Sequence, residues 1–353
     1  MNPQVAASPG PATEPPPAAT EPSTIDRARQ GLMAMISNQQ AMLLIALIAI
    51  IIYFDVRAPL FLGKAEVSNL LTDFCSLALL AVAETYVIIS GGIDLSVGST
   101  ATITTVVAAK VITPHVGGMS ESFVILLGLA VAVALGALVG AVNAALMNWG
   151  RLVPFVATLA TMGAAAGLAL VISNGSPIGA DSRAIYFTQA KLWAFSWPDL
   201  IVIALIALSW AFLHYSRFGR YTYAVGSNDF AARAAGINVR RHTTKVYVLS
   251  GILAGVTGML FYLRLGSGAP TSGSGEELQA IAAVVIGGVA LTGGVGRLSG
   301  TILGVMILTV VTDGLVVINV NPNWNQVAVA GLIAAAAALQ TLRPQRFGGL
   351  RKS

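Results

Sequence analysis

Three carboxylates, Glu84, Asp94 and Asp313, stand within or at the edge of long apolar runs in a chain that has only 15 Asp and Glu among its 353 residues. Asn143 adds a neutral amide to another such run, and Ser96 follows Asp94 by two positions. Ionisable groups at membrane depth are costly, and they face a bundle interior or a water-filled cavity. Glu84, Asp94, Ser96, Asn143 and Asp313 are therefore candidates for the wall of a polar solute pathway. The same side chains could equally fix helices to one another by hydrogen bonds, and carboxylates of this kind also serve proton-coupled carriers.

Catalytic patterns are missing. No GxxxxGK[ST] phosphate loop occurs; the single Gly-Lys pair, Gly63-Lys64, is followed by Ala65. His115, His214 and His242 have no metal-ligand spacing, and no acidic cluster of the kind that holds Mg²⁺ is visible. We expect no metal site and no catalytic residue. The lone Cys75 excludes an intramolecular disulfide and reads as a small buried hydrophobe.

The elements that must position these groups are membrane helices. The chain is 56% hydrophobic and 10% charged, with a mean hydropathy of +0.78, whereas soluble domains carry about 25% charged residues. Apolar windows near the roughly 20 residues that cross a bilayer fall at about 41–58, 70–90, 97–113, 122–147, 153–173, 199–214, 244–264, 277–292, 298–318 and 324–341. The expected fold is all-α, a polytopic bundle of about ten spans covering residues 41–342. Residues 1–40, which include Pro15-Pro16-Pro17, read as a disordered tail, and 343–353 as a basic tail. Both termini are expected in the cytoplasm.

With ten spans so oriented, Arg57, Lys64, Lys110, Arg183, Lys191 and Arg264 fall outside and the rest of the 20 Lys and Arg fall inside. This is the positive-inside bias, and it argues against reading the net charge of +5 as a nucleic-acid signal. Basic residues concentrate in the loop 215–243, which includes the polar island from Asn228 to Arg241. On the other face the loop 174–197 carries Arg183, Lys191, Trp193 and Trp197.

Glycines at four-residue spacing, Gly136/Gly140, Gly163/Gly167, Gly251/Gly255 and Gly300/Gly304, predict close helix packing. A faint internal repeat relates Gly91-Gly92-Ile93-Asp94-Leu95-Ser96-Val97-Gly98 to Gly293-Gly294-Val295-Gly296-Arg297-Leu298-Ser299-Gly300. Gly236 reads as the glycine that ends a short helix in the polar island.

The spacing Ala231-Ala232, three residues, Gly236 resembles the Ala-Ala-x-x-x-Gly core of the cytoplasmic loop by which ABC importer permeases dock into their ATPase, with Phe230 where an acidic residue is usual and Asp229 one position earlier. Val87 to Ser99, Val153 to Leu159, Ala231 to Val239 and Ala283 to Gly300 extend the likeness over roughly residues 40 to 342. The chain resembles the permeases of the ribose, xylose, arabinose and galactose type of bacterial ABC sugar importer. The resemblance implies a monosaccharide cargo, an inner-membrane location and a pore built from two copies of the chain. It also implies a periplasmic sugar-binding protein and a separate ATPase that binds the ATP and Mg²⁺. ATPase coupling then falls to Asn228, Asp229, Ala231, Ala232 and Gly236, and Arg183 and Lys191 are candidates for contacts to the binding protein. Other cargoes, a branched-chain amino acid or a signalling sugar, remain open, as does a proton-coupled secondary carrier.

Overall fold

The computed structural model describes residues 39–113, 120–179, 187–188, 191–321 and 323–342. The chain divides into a unit of residues 1–42 and a unit of residues 43–353. Of the first, only the start of α1 is described; the second holds the helix bundle. Twelve helices are described: α1 (Gln39–Arg57), α2 (Lys64–Ile89), α3 (Val97–Ile112), α4 (Glu121–Asn148), α5 (Pro154–Ser173), α6 (Trp197–Tyr215), α7 (Arg217–Ser227), α8 (Asp229–Ala234), α9 (Val239–Leu265), α10 (Glu276–Ile286), α11 (Leu298–Val317) and α12 (Trp324–Leu342). Four two-residue strands depart from a purely helical reading: β1 (Ile178–Gly179) pairs with β4 (Ser267–Gly268), and β2 (Lys191–Leu192) with β3 (Phe195–Ser196), both antiparallel.

Among the described residues, seven helices are long and apolar enough to cross a membrane, namely α1, α2, α4, α5, α6, α9 and α11. Each of the ten apolar windows holds a helix, but two are short. Helix α3 has 16 residues and α10 has 11. The window 277–292 is not one helix. It stops at Ile286, where Gly287 caps the end and Gly288 turns away with φ +86°, a conformation that glycine adopts without steric cost.

Helix α2 is the axis of the bundle. From Cys75 to Ile89 every residue is buried, and α9, α10, α11 and α6 pack around it. Helices α1, α4, α5 and α6 each carry exposed leucines, isoleucines, valines or aromatics, the pattern of helices whose outer faces meet lipid rather than water.

The glycine pairs explain the close crossings, with one exception. A Cβ on Gly136 would collide with the Gly251 carbonyl, and one on Gly251 or Gly255 would strike the α4 backbone at Gly136 or Ala132. Gly300 and Gly304 meet Gly287 and Ala283 in the same way. Gly163 and Gly167 do not behave as expected, since nothing lies within 4 Å of a Cβ at either. Among the described residues, no helix packs against the face of α5 on which they sit.

The two similar glycine-rich segments are helix breaks, and they meet in space. The first, 90–96, lies between α2 and α3; the second, 287–297, lies between α10 and α11. The Gly294 amide donates to the Ile89 carbonyl at 2.8 Å, and a Cβ on Gly293 would lie 2.9 Å from the Gly91 Cα. Gly226, at the end of α7, closes the junction against the Ile89 carbonyl and the Gly294 amide.

These contacts predict different outcomes for two equal-sized substitutions. Gly251→Val should lower the thermal stability of the detergent-purified protein by about 1–3 kcal/mol or more through overpacking. Gly163→Val should leave the melting temperature within experimental error, and a matching loss at both positions would contradict the packing described.

Candidate functional site

Helix α2 has 26 residues and is therefore about 39 Å long at 1.5 Å per residue. Its two ends carry the two sets of charged residues that stand out in the sequence. At the first end the Lys191 ammonium donates to the Ser68 hydroxyl at 2.8 Å. At the other end lie Ile89, the glycine junction and, through Gly226, the polar island. The candidate binding-protein and ATPase surfaces are thus at opposite ends of one helix. Arg183 lies outside the described residues.

The polar island folds as a capped helical turn. Asn228 is the N-cap of α8, its side chain accepting from the Ala231 amide at 2.9 Å. Arg233 pairs with Asp229 one turn earlier at 2.8 Å. Gly236, with φ +84°, ends the turn, its amide reaching the Arg233 carbonyl and the Ile237 amide the Ala232 carbonyl, the pattern of a left-handed glycine cap. Of the expected contact residues, Ala232 is buried under the helix, while Asn228, Ala231 and Gly236 are exposed and Asp229 is exposed at its side chain, which is 43% accessible. Phe230, in the sequence only a departure from the usual acid, is the most prominent side chain of the turn, 80% exposed. Its signal is an aromatic residue in a polar loop, and aromatics of this kind are the residues that anchor interfaces.

This turn is wired to the bundle at three points. Gly226 abuts Ile89 of α2, the Tyr223 hydroxyl of α7 donates to the Gly296 carbonyl at 2.9 Å, and Thr222 shares a hydrogen bond with His242 of α9 at 3.0 Å. Helix α7 thus contacts both glycine breaks.

Asp94, Ser96 and Asn143 come together in one buried hydrogen-bonded network. The Asp94 carboxylate accepts from the Ser96 amide at 3.0 Å, the Ser96 hydroxyl at 2.6 Å and, through its other oxygen, the Ser250 hydroxyl at 2.9 Å. Asn143 donates to Ser96 at 2.8 Å and accepts from Thr161 at 2.5 Å. Thr158 donates to the Ile93 carbonyl at 3.2 Å. All of these side chains are buried. They tie the first glycine break to α4, α5 and α9. Ser250, Thr161 and Thr158 are invisible to motif reading, because single Ser and Thr residues in apolar helices carry no pattern of their own.

Glu84 is fully buried, and neither carboxylate oxygen has a hydrogen-bond partner; the backbone of Asp94 and the Glu277 side chain are among its polar surroundings. Asp313 stands apart from the other four, near the opposite end, on a cavity of about 400 Å³. Among the described residues no group of three or more His, Cys, Asp or Glu is placed to hold a metal ion.

The fold and this site define a multi-pass membrane protein with a capped helical turn presented at one end of the bundle. Residues 66–337 match the family described as branched-chain amino acid transport system / permease component, and the chain belongs to that family. It is 37% identical to the ribose import permease protein of Escherichia coli (strain K12), over 89% of this chain and 96% of the relative. It is 35% identical to the galactose/methyl galactoside import permease protein of Salmonella typhimurium, over 86% and 93%, and 31% identical to the D-allose transport system permease protein of E. coli (strain K12), over 84% and 89%.

The buried network yields a stability prediction. Asp94→Ala strands Ser96 and Ser250 without their acceptor and should cost about 2–5 kcal/mol, read as a large fall in melting temperature. Thr161→Val removes a single donor and should cost about 1–3 kcal/mol. Equal melting temperatures for Asp94→Ala and the parent protein would show that the network is not what holds the first break.

Proposed function

We propose that the chain is the pore-forming permease subunit of an ABC importer that moves a monosaccharide across the bacterial inner membrane. The observation that carries this is α8, a rigidly capped turn with an exposed aromatic, attached through Gly226 to the end of the central helix. The sugar cargo is supported by relatives named for ribose, galactose and allose, and the absence of a phosphate loop from the sequence agrees with ATP and Mg²⁺ being bound by a separate ATPase subunit. In this reading the ten helical windows are ten crossings, with both termini and α8 in the cytoplasm, and two copies assemble into the pore. A periplasmic sugar-binding protein docks at the end marked by Lys191, and Arg183, eight residues earlier in the sequence, is a second candidate contact.

The mechanism is mechanical. The ATPase closes on α8, with Phe230 seated in a pocket of the partner and Asn228, Asp229, Ala231 and Gly236 along the contact. The displacement passes through Gly226 to Ile89 and through Tyr223 to Gly296, so both helix breaks are driven together. The Asp94 network makes the first break move as one body with α4, α5 and α9, and rigid-body rocking of packed helices is a standard form of alternating access. Glu84 lies in α2 just ahead of the first break, and Asp313 lies toward the side that receives solute.

Glu84 also motivates a second reading. A buried carboxyl without a partner is the group a proton-coupled carrier would use. Sugar uptake into proteoliposomes driven by a proton gradient alone, without ATPase or binding protein, would establish that alternative.

Phe230→Ala tests the coupling role without disturbing the fold, because the ring is exposed. An interface anchor is worth about 2 kcal/mol or more, so uptake and permease-stimulated ATP hydrolysis should fall by about thirtyfold. Gly236→Arg, which adds both bulk and backbone strain, should abolish both. Membrane levels should match the parent; retention of both activities in both variants would remove α8 from the mechanism.

A further inference from the structure

The corner between α6 and α7 carries cations that no protein group neutralises. Ser216 breaks the helical run with an extended backbone, and its side chain accepts from the Gly219 amide at 3.1 Å to start α7. The corner is tight, because a Cβ on Gly219 would collide with the Leu213 carbonyl of α6. One face of α7 is packed and fixed: Gly219, Thr222 and Val225 are buried, and Phe218 stacks on Phe212 with ring centroids 4.9 Å apart. The opposite face is exposed and presents Arg217, Arg220 and Tyr221, three and four positions apart and so on one side of the helix.

This corner stands at the end of a helix that faces lipid. Along α6 the exposed residues Trp197, Ile201, Leu208, Phe212 and Tyr215 recur at steps of three, four and seven, which makes one continuous stripe. The helix has 19 residues, about 28 Å at 1.5 Å per residue, against a hydrocarbon core of about 30 Å. Its Tyr215 end therefore lies at headgroup depth. Trp210, His214 and Tyr215 pack together there, each pair with ring centroids 5.6 Å apart. The Arg220 guanidinium reaches back to the Tyr215 carbonyl at 3.3 Å, so cations and aromatics form one patch.

Nothing in the chain answers these charges. Between Asp199 and Glu276 the sequence has a single acid, Asp229, and Arg233 engages it at 2.8 Å. Among the described residues, neither Arg217 nor Arg220 is ion-paired. Their counter-ion must come from outside the chain, and at the depth of Tyr215 the anions at hand are phospholipid headgroups. Guanidinium forks match phosphate oxygens in a bidentate way, and Trp and Tyr rings favour the headgroup level. An acidic protein partner fits less well, because both cations lie in the first turn of α7, beside the exposed stripe, whereas α8 begins at the far end of that helix.

We propose that the corner between α6 and α7 binds the headgroup of an anionic phospholipid, with Arg217 and Arg220 on the phosphate and Trp210, Tyr215 and Tyr221 beside it. The inference rests on membrane placement alone and holds whatever the chain carries. Since α7 touches both glycine breaks, the bound lipid also anchors the helix that joins α8 to the bundle.

To test this, the detergent-purified full-length protein would be titrated with phosphatidylglycerol, with phosphatidylcholine of the same acyl chains and with inorganic phosphate. The readouts are the melting temperature and the half-saturating concentration. Phosphatidylglycerol should raise the melting temperature of the parent, and the other two should not. Arg217→Gln should weaken that binding about fivefold and the double variant Arg217→Gln/Arg220→Gln about thirtyfold. Arg217→Gln leaves the bond from Arg220 to Tyr215 in place, so its result stands even if the double variant folds poorly. Arg240→Gln/Arg241→Gln removes the same charge from the start of α9 and should leave the titration unchanged. Equal effects of the two double variants, or of the two lipids, would overturn the site, and an equal effect of inorganic phosphate would overturn the lipid as its occupant. The proposal also fails if phosphatidylglycerol leaves the parent unchanged; a fall in permease-stimulated ATP hydrolysis by Arg217→Gln in phosphatidylcholine vesicles would then assign the cations to the ATPase.

Discussion

The hydrogen bond from the Gly294 amide to the Ile89 carbonyl is the contact on which the arrangement depends. Ile89 is the last residue of the central helix, and an unsatisfied carbonyl at that depth is expensive. Its partner comes from the second glycine break rather than from its own helix, and the two can approach only because Gly91, Gly226 and Gly293 have no side chains to separate them. Three elements far apart in the chain thereby share one junction, and one of the three leads directly into the polar island.

Hydropathy makes the bundle legible because the bilayer imposes a length and an apolar composition on every crossing. Ten windows appear in the sequence, and each holds a helix. What hydropathy does not show is where an apolar run is broken. Residues 277–292 read as continuous because Gly, Val and Ala are all compatible with a buried helix, and only the positive φ of Gly288 ends it. The faint repeat is visible in the sequence, but its meaning, two breaks in contact, is a property of space rather than of spacing. The glycine pairs show the same limit: Gly136 and Gly163 have identical sequence signatures, and only one faces another helix.

The candidate site is partly legible. The end of the short helix in the island is readable from Gly236, since a left-handed helix terminus favours glycine. The five polar candidates stand out as a set because polarity in apolar runs is conspicuous, yet the structure puts them in different surroundings. Asp94, Ser96 and Asn143 satisfy one another, Glu84 is enclosed without a partner, and Asp313 faces a cavity. Whether a buried polar group is satisfied depends on residues such as Ser250 and Thr161, which have no signature in one dimension.

The exposed ring of Phe230 has a consequence for pairing fidelity. A salt-bridging acid at this position would tolerate many partners, since a carboxylate finds a lysine or arginine on most protein surfaces. An aromatic knob demands a pit of matching depth. With α8 docked as proposed, in a cell that makes several importers of one architecture, an ATPase whose groove is shallow or charged would be a poor match for this ring, so energy from a neighbouring system would not be diverted into this one. The bulk of a single side chain can thus keep parallel transport systems insulated from each other.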